Sequence, residues 1–198
     1  DYTIRLNHRQ VLAGVLESAG IAAEKQTDAL VALDKLDKIG AEGVARELES
    51  RGIRAESGAR ILEFFAQLDS LQHAAAIAAD TSGMNERTAY NMTVLGRLIE
   101  FIGDHEAGAR GVDELRQILH YAEASGVASK IKIDPNLARG LSYYTGAIME
   151  ISVADLPGSL GGGGRYDNLV GMFSGKNVPA CGFSLGLERI IVVMSERE

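Results

Sequence analysis

The sequence predicts an α+β protein in which an antiparallel sheet with helices is interrupted by an all-helical block. The chain opens with strand-like alternation, and its middle is rich in Ala, Leu, Glu and Arg at helical spacing. All three prolines and the clustered glycines lie in the final third, which is typical of turns and short strands. We therefore predict that residues 1–21 and 126–198 form the sheet-bearing core and that residues 22–125 form a helical domain.

The first elements are a strand and a helix. Residues 2–7 alternate apolar and polar side chains with period two. Asn7 is suited to be the N-cap of a helix over about 8–18. The simplest interpretation of His8 and Arg9 is a solvated first helical turn.

The helical block has its apolar residues at helical spacing, and its Leu and Phe positions are predicted core. Helices are expected over about 28–39, 43–48, 57–71, 85–101 and 112–125. Gly40 is expected to end the first of them. The alternating charges over 34–38 indicate a solvated helix face, with contact to a polyanion as the alternative.

The final third reads as strands and short helices around a glycine run. Strands are expected over 130–133, 143–153 and 180–184, and helices over 168–173, with Asp167 as cap, and 187–194. The run Gly161–Gly164 lacks the ending of a phosphate-binding P-loop. Two interpretations stay open for it: a flexible hairpin loop, or a binding strand whose backbone approaches a ligand closely.

Composition excludes several classes of protein. The chain has 198 residues, a net charge of −7, 46% hydrophobic and 24% charged residues, which is ordinary for a soluble globular protein and argues against binding nucleic acid by global charge. Cys181 is the only cysteine, which fits a reducing cytoplasm, and no Cys/His metal-ligand spacing occurs. No apolar run is long enough to span a bilayer. The chain starts inside a strand without methionine, so we expect an excised piece of a longer protein.

Two arginines and a pair of tyrosines are candidate ligand-binding residues. Arg139 offers a planar fork for a carboxylate or phosphate, with a solvated loop arginine as the plain alternative. Arg189 is predicted either to pair with Glu188 on the surface or to lie against a purine ring. Tyr143 and Tyr144 are predicted on opposite faces of a strand, so that only one faces the pocket.

Three motifs resemble a known family. The segments L-A-R-G-L-S-Y-Y-T-G (137–146), G-G-R-Y-D (163–167) and G-F-S-L-G-L-E-R (182–189) are similar to the two histidine-specific motifs and motif 3 of histidyl-tRNA synthetases. The segments T-I-R-L-N-H-R (3–9) and A-L-D-K-L-D-K-I-G (32–40) follow the family in the same order. The resemblance implies a partial class II synthetase sheet, with 22–125 as the family's insertion domain.

The resemblance also implies a role for each matching residue. Arg139 would be catalytic, contacting the histidine carboxylate and the ATP α-phosphate. Arg189 would stack on adenine and meet the γ-phosphate, and Gly186 would be a further ATP-binding residue. The histidine pocket would consist of Arg139, Tyr143, Tyr144, Gly162, Gly163, Gly164 and Tyr166, with the glycine backbone as its floor. No metal ligand is implied in this chain.

The implied activity is that of a histidine–tRNA ligase, which uses ATP with Mg²⁺ as its substrate complex. The expected partners are L-histidine, ATP, the acceptor arm of tRNA(His) at the insertion domain, and a second copy of the full-length protein. We expect a cytoplasmic location and no membrane partner.

The chain departs from the family in two respects. Ser142 stands where the family usually has Asp. Motifs 1 and 2 and the anticodon-binding domain are not found in these 198 residues; if this were the whole polypeptide, we would expect an incomplete active site and no aminoacylation. The main alternative is the related regulatory subunit of ATP phosphoribosyltransferase, and another is a synthetase-like domain that senses uncharged tRNA within a kinase. The arginine-bearing motifs favour the ligase.

Overall fold

The computed structural model describes residues 1–71, 76–77, 79–80, 85–139, 143–154 and 156–195. The strands are β1 (Thr3–His8), β2 (Ile131–Ile133), β3 (Ala147–Val153), β4 (Leu156–Tyr166) and β5 (Ala180–Leu185). The α-helices are α1 (Arg9–Ser18), α2 (Gln26–Leu33), α3 (Leu36–Ser50), α4 (Ala55–Asp69), α5 (Glu86–Ile102), α6 (Glu106–Ala124), α7 (Leu169–Ser174) and α8 (Leu187–Ser195). The predicted α+β class is confirmed.

The strands form one sheet in the order β2-β1-β3-β4-β5. The pairs β1–β3, β3–β4 and β4–β5 are antiparallel, as predicted. The pair β1–β2 is parallel, contrary to the predicted antiparallel sheet. The long helical connection between these strands permits the parallel pairing, because a parallel neighbour requires a crossover longer than a hairpin.

Helices α1 and α6 cover one face of the sheet and enclose the core. Leu6 and Ile133 point to this face and are fully buried with Leu16 and Leu115 from the two helices. His8 is also there and is 0% exposed, so the predicted solvated first turn is wrong for this residue.

The N-cap of α1 is His8 and not Asn7 as predicted. The His8 Nδ1 atom accepts a hydrogen bond from the Gln10 amide at 3.2 Å. The Asn7 side chain points to the opposite face of the sheet. It donates from Nδ2 to the carbonyl oxygens of Pro135 and Leu137, at 3.2 and 3.1 Å. Asn7 therefore fixes the loop that follows β2.

The helical block begins with α2, α3 and α4, which pack on one another in sequence order. The predicted break at Gly40 is present as a kink inside α3, where Gly40 has φ +69°. The predicted helix over 28–39 is divided, because α2 ends at Leu33. Helices α5 and α6 pack against α1, and α5 also contacts β2. The division into a core and an inserted domain at 22–125 stays a prediction.

Two expectations for the final third are wrong. The strand predicted from Tyr143 begins only at Ala147, because the preceding turn is held by Thr145, whose amide donates to the Arg165 carbonyl at 2.9 Å. Asp167 does not cap α7; Asn168 is the N-cap residue, and the Asp167 carboxylate accepts hydrogen bonds from Thr145 and Arg165 instead. Among the described helices, none is sufficiently long and apolar to cross a membrane.

Asn91 on α5 closes the outer edge of β2. Its Nδ2 donates to the Ile131 carbonyl and its Oδ1 accepts from the Ile133 amide, both at 2.8 Å. The side chain is 1% exposed. The amide therefore occupies the place of a further strand along the edge of the sheet.

Replacing Asn91 by Ala should lower the free energy of unfolding by about 2–4 kcal/mol, because one buried carbonyl and one buried amide lose their partners. Urea unfolding followed by circular dichroism measures this change. Met92→Ala, at the next and 47% exposed position, is the matched control and should change stability by less than about 0.5 kcal/mol. An equally small change in the free energy of unfolding for Asn91→Ala would contradict the role of Asn91 at the edge of β2.

His8 should make stability dependent on pH. Burial lowers the pKa of His8 below its ordinary value, although a hydrogen bond to Glu114 at 3.1 Å opposes this shift. His8 therefore binds a proton more readily in the unfolded chain than in the folded chain. The free energy of unfolding consequently decreases as the pH drops below about 6.5. Urea unfolding between pH 7.5 and 5.5 should show a smaller decrease for His8→Asn than for the wild type. Asn91→Ala, which removes no titratable group, should keep the wild-type decrease, and equal decreases in His8→Asn and wild type would contradict the assignment.

Candidate active site

The face of the sheet opposite α1 and α6 carries a row of residues in register across four strands. Arg5 on β1 pairs with Glu150 on β3, Glu150 with Gly162 on β4, and Gly162 with Ser184 on β5. A cleft of about 930 Å³ lies over this face. Its lining includes Arg5, Arg139 and Glu150 from the sheet side, and Asp34, Asp37 and Lys38 from the α2–α3 junction.

Arg139 lies in this cleft, on the loop after β2 that Asn7 holds. Its Nη2 atom forms an ion pair with Glu150 Oε2 at 3.3 Å. The guanidinium lies directly over Gly162, where a Cβ atom would collide with Nη1. The plain alternative of a solvated loop arginine is therefore wrong. Only a glycine at 162 leaves room for this position of the guanidinium.

Tyr144 lies beside Arg139 and over Gly164. A Cβ atom on Gly164 would come within 2.8 Å of the Tyr144 ring. Burial raises the pKa of Tyr144 to about 12, a hydrogen bond with Tyr143 acts in the same direction, and the charge of Arg139 partly opposes the rise. Tyr144 is thus a neutral phenol at physiological pH, able to donate and to accept hydrogen bonds.

The three predicted pocket tyrosines form one cluster. The ring centroids of Tyr143 and Tyr144 are 4.6 Å apart, and those of Tyr143 and Tyr166 are 6.1 Å apart in an edge-to-face arrangement. The expectation that Tyr143 and Tyr144 point to opposite faces is wrong. Both residues precede β3 and lie in a turn, where the alternation of a strand does not apply.

A small polar network holds this turn against the end of β4. Thr145 Oγ1 donates to Asp167 Oδ2 at 2.7 Å and accepts from the Asp167 amide at 3.1 Å. Arg165 Nε donates to Asp167 Oδ1 at 3.0 Å. The hydrogen bond from Thr145, followed by that from Arg165, holds the pKa of Asp167 below its usual range. The network places Tyr144 and Tyr166 on the same side of the sheet.

The glycine run is a strand and not a flexible loop, because Gly161 to Gly164 pair with β3 on one side and β5 on the other. Gly162 and Gly164 lie on the side of the sheet that carries Arg139 and Tyr144, and these two side chains cover them. Gly163 faces the opposite side, where a Cβ atom would meet Phe183. Of the three predicted floor glycines, two therefore face Arg139 and Tyr144, and Gly163 can take part only through its backbone.

Arg189 lies at the rim of the cleft, at the start of α8. Its Nη2 atom donates to the carbonyl oxygen of Pro157, and a Cβ atom on Gly158 would lie 3.2 Å from Nη2. Pro157 and Gly158 both line the cleft. Arg189 Nε is buried and has no hydrogen-bond partner among the described residues. Gly186 anchors this turn by donating its amide to Leu160 at 2.7 Å.

Three charged residues of the site, Arg5, Asp134 and Glu150, were not predicted from the sequence. Arg5 binds Asp134 at 2.5 Å and Glu150 and Asp37 at 3.4 Å each. Burial alone would lower the pKa of Arg5, but these three carboxylates together raise it. A signal was available in the sequence, because Arg5 and Glu150 are each a charged residue inside an otherwise apolar or neutral strand.

The arrangement is suited to binding a small ligand with an anionic group and a polar ring. Arg139 supplies donors for the anion, and the tyrosine cluster supplies phenol groups beside a flat glycine floor. Within the described ranges, no three His, Cys, Asp or Glu side chains are grouped to hold a metal ion. Gly140, Leu141 and Ser142, including the departure at Ser142, lie outside the described residues.

Comparison with known proteins gives a consistent result. Residues 1–190 match the family model described as histidyl-tRNA synthetase. The chain is 42% identical over 199 residues to a histidine–tRNA ligase of Gloeobacter violaceus, with 99% of this chain and 38% of that protein covered. It is 41% identical over 197 residues to the histidine–tRNA ligase of Rhodopirellula baltica, with 98% and 40% covered.

Solved structures agree with the sequence relatives. A histidyl-tRNA synthetase from Nostoc sp. PCC 7120 matches all of this chain and 42% of its own, with a TM-score of 0.75 and 30% identity. An ATP phosphoribosyltransferase regulatory subunit/histidyl-tRNA synthetase from Bacillus halodurans has a TM-score of 0.69 at 18% identity over 93% of this chain and 42% of its own, which shows the fold alone. The chain thus spans 38–42% of the length of these relatives. The family model matches nearly the whole length of this chain, and the chain therefore belongs to the histidyl-tRNA synthetase family.

Proposed function

We propose that this chain is part of a histidine–tRNA ligase, which activates L-histidine with ATP and transfers it to the terminal adenosine of tRNA(His). The observation that carries the proposal is the position of Arg139. Its guanidinium lies over Gly162, beside Tyr144, and in a cleft large enough for a ligand.

Arg139 would act at the step in which the histidine carboxylate attacks the α-phosphate of ATP and pyrophosphate leaves. Negative charge accumulates on the phosphate oxygens during this step, and a preoriented guanidinium stabilises it. Glu150 engages the Nη2 atom, and the arginine fork carries further N–H groups that can meet the carboxylate and the phosphate. ATP enters as its Mg²⁺ complex.

The tyrosine cluster would recognise the imidazole of the substrate. A neutral phenol can donate to one imidazole nitrogen or accept from the other. The pKa of about 12 for Tyr144 supports a neutral hydroxyl throughout the physiological range. Arg189 would contact the adenine and the γ-phosphate, and its buried Nε supports a role in which a ligand supplies the partner.

The remaining partners follow from the family. We propose that the helical block over 22–125 contacts the acceptor arm of tRNA(His), that the intact enzyme is a homodimer, and that it works in the cytoplasm. The net charge of −7 confines any tRNA contact to local basic groups.

The site described here is one part of the proposed active site. Large apolar side chains are exposed on β5, α7 and α8, namely Met172, Phe173, Phe183, Leu185, Leu187 and Ile191. The strand β5 is outermost in the described sheet. Exposed apolar patches of this kind mark interaction surfaces, and we propose that further segments of the ligase cover these side chains. A second ATP-binding wall would have to lie on the other face of the sheet, over the cleft, because Phe183 pairs with Gly163, which points away from Arg139.

The regulatory subunit of ATP phosphoribosyltransferase is the alternative, supported by the likeness in fold to the Bacillus halodurans protein. A non-catalytic subunit has no requirement for an arginine that stabilises charge on a reacting phosphate. The placement of Arg139 and Arg189 around one cleft favours the ligase.

Arg139→Ala should lower histidine-dependent ATP–pyrophosphate exchange by on the order of 10²–10³-fold, because the charge beside the α-phosphate is lost. The assay uses the longest natural polypeptide that contains this sequence. Arg110→Ala is the matched control, since Arg110 is exposed on α6 and pairs with Glu106. Exchange near the wild-type rate in Arg139→Ala would refute the assigned role.

Gly162→Ala should lower the same exchange by about tenfold or more, because the new methyl group displaces the Arg139 guanidinium. Gly96→Ala on α5 is the control, since a Cβ atom there meets nothing within 4 Å. It should leave exchange unchanged and raise stability by up to about 1 kcal/mol. Wild-type exchange in Gly162→Ala would contradict the observed position of Arg139.

A further inference from the structure

Glu150 lies between two arginines on the floor of the cleft. Its Oε1 atom accepts from Arg5 Nη1 at 3.4 Å, and its Oε2 atom is 3.3 Å from Arg139 Nη2. The Glu150 side chain is 13% exposed, so it is largely shielded from the water that would otherwise weaken these ion pairs. Each carboxylate oxygen therefore has its own guanidinium partner.

Arg5 is fixed more firmly than Arg139. Its Nε atom donates to Asp134 Oδ2 at 2.5 Å, and the two side chains are 19% and 11% exposed. Asp134 also accepts from the Asn136 amide at 3.0 Å through Oδ1. Asp134 thereby shapes the turn that leads from β2 to Arg139. The Arg5 side chain thus acts on Arg139 in two ways. It acts on the Arg139 side chain by way of Glu150, and on the backbone that leads to Arg139 by way of Asp134.

Arg5 also determines how strongly Glu150 attracts Arg139. A carboxylate with a single guanidinium partner would draw that guanidinium into a tight pair and offset its charge. Here Glu150 is shared with Arg5, so its charge is not directed at Arg139 alone. Long arginine side chains lose considerable rotamer freedom when they are fixed in this way, and the shared carboxylate supplies that constraint before a ligand binds.

We propose that Arg5 and Glu150 are positioning residues for Arg139, which hold its guanidinium in the orientation needed to bind the reacting carboxylate and phosphate. The proposal rests on the proposed function of Arg139. Neither Arg5 nor Glu150 needs to touch the reacting atoms. A guanidinium displaced by about 1 Å can lose on the order of 10²-fold in rate.

The test uses Arg5→Met and Glu150→Gln in the longest natural polypeptide that contains this sequence. Histidine-dependent ATP–pyrophosphate exchange is measured with varied histidine and ATP. Both variants should lose about tenfold or more in kcat, and Arg5→Lys should be intermediate because an ammonium cannot bridge two carboxylates as a guanidinium fork does. Arg116→Met is the matched control. It removes an ion pair with Asp113, at 2.8 Å on α6, neither residue lines the cleft, and the change should leave kcat unchanged.

A second measurement separates positioning from a general loss of structure. Arg5→Met is combined with Arg139→Lys, whose ammonium group cannot occupy the guanidinium position. If Arg5 acts through Arg139, the loss caused by Arg5→Met should shrink to less than about threefold in this background. An equal fold-loss in both backgrounds would overturn the proposal. If Arg5→Met does not fold, the isosteric Glu150→Gln takes its place in the same pair of measurements.

The outcomes also distinguish this proposal from the proposed function. Near wild-type exchange in Arg139→Ala would refute the function of Arg139 and the positioning proposal with it. Loss of exchange in Arg139→Ala, together with rates within twofold of wild type in Arg5→Met and Glu150→Gln, would leave the ligase function in place and overturn the positioning proposal alone.

Discussion

The arrangement of the cleft depends on the ion pairs of the Arg5 guanidinium. The guanidinium joins three carboxylates from three separate parts of the chain: Asp37 on α3, Asp134 in the turn after β2, and Glu150 on β3. Two of these partners are largely shielded from water, where ion pairs are stronger and the loss of one partner is costly. The helical block, the loop and the sheet therefore meet at one residue.

Two buried asparagines support the same region through the backbone. Asn7 holds the loop that carries Arg139, and Asn91 closes the free edge of β2 from which this loop departs. Each uses a side-chain amide where a further strand or a water molecule would otherwise satisfy main-chain groups. The site is thus built on a short edge strand whose polar groups are satisfied from both sides. Such satisfaction is needed because an unpaired buried amide is costly.

The α+β class, most of the helices and the arginines and tyrosines of the candidate site could be predicted from the sequence. Periodicity and turn residues are local signals, and they located α1, α4, α5, β2 and β5 to within a few residues, although α6 begins about six residues before its predicted start. The errors concern contacts between distant parts of the chain. His8 is buried and forms a hydrogen bond with Glu114, 106 residues away, and Arg5 pairs with Glu150, 145 residues away. Patterns among neighbouring residues carry no information about contacts over such separations in the sequence.

The glycine strand has a consequence for how a ligand is recognised. Gly162 and Gly164 pair with β3 on one side and with β5 on the other, so their main-chain hydrogen-bonding groups are engaged within the sheet. The Arg139 guanidinium and the Tyr144 ring lie directly on these two glycines, so the strand is a flat support for the two side chains and has few free donors or acceptors of its own. Polar recognition at this place is therefore left to side chains, because the glycine main chain is already engaged within the sheet.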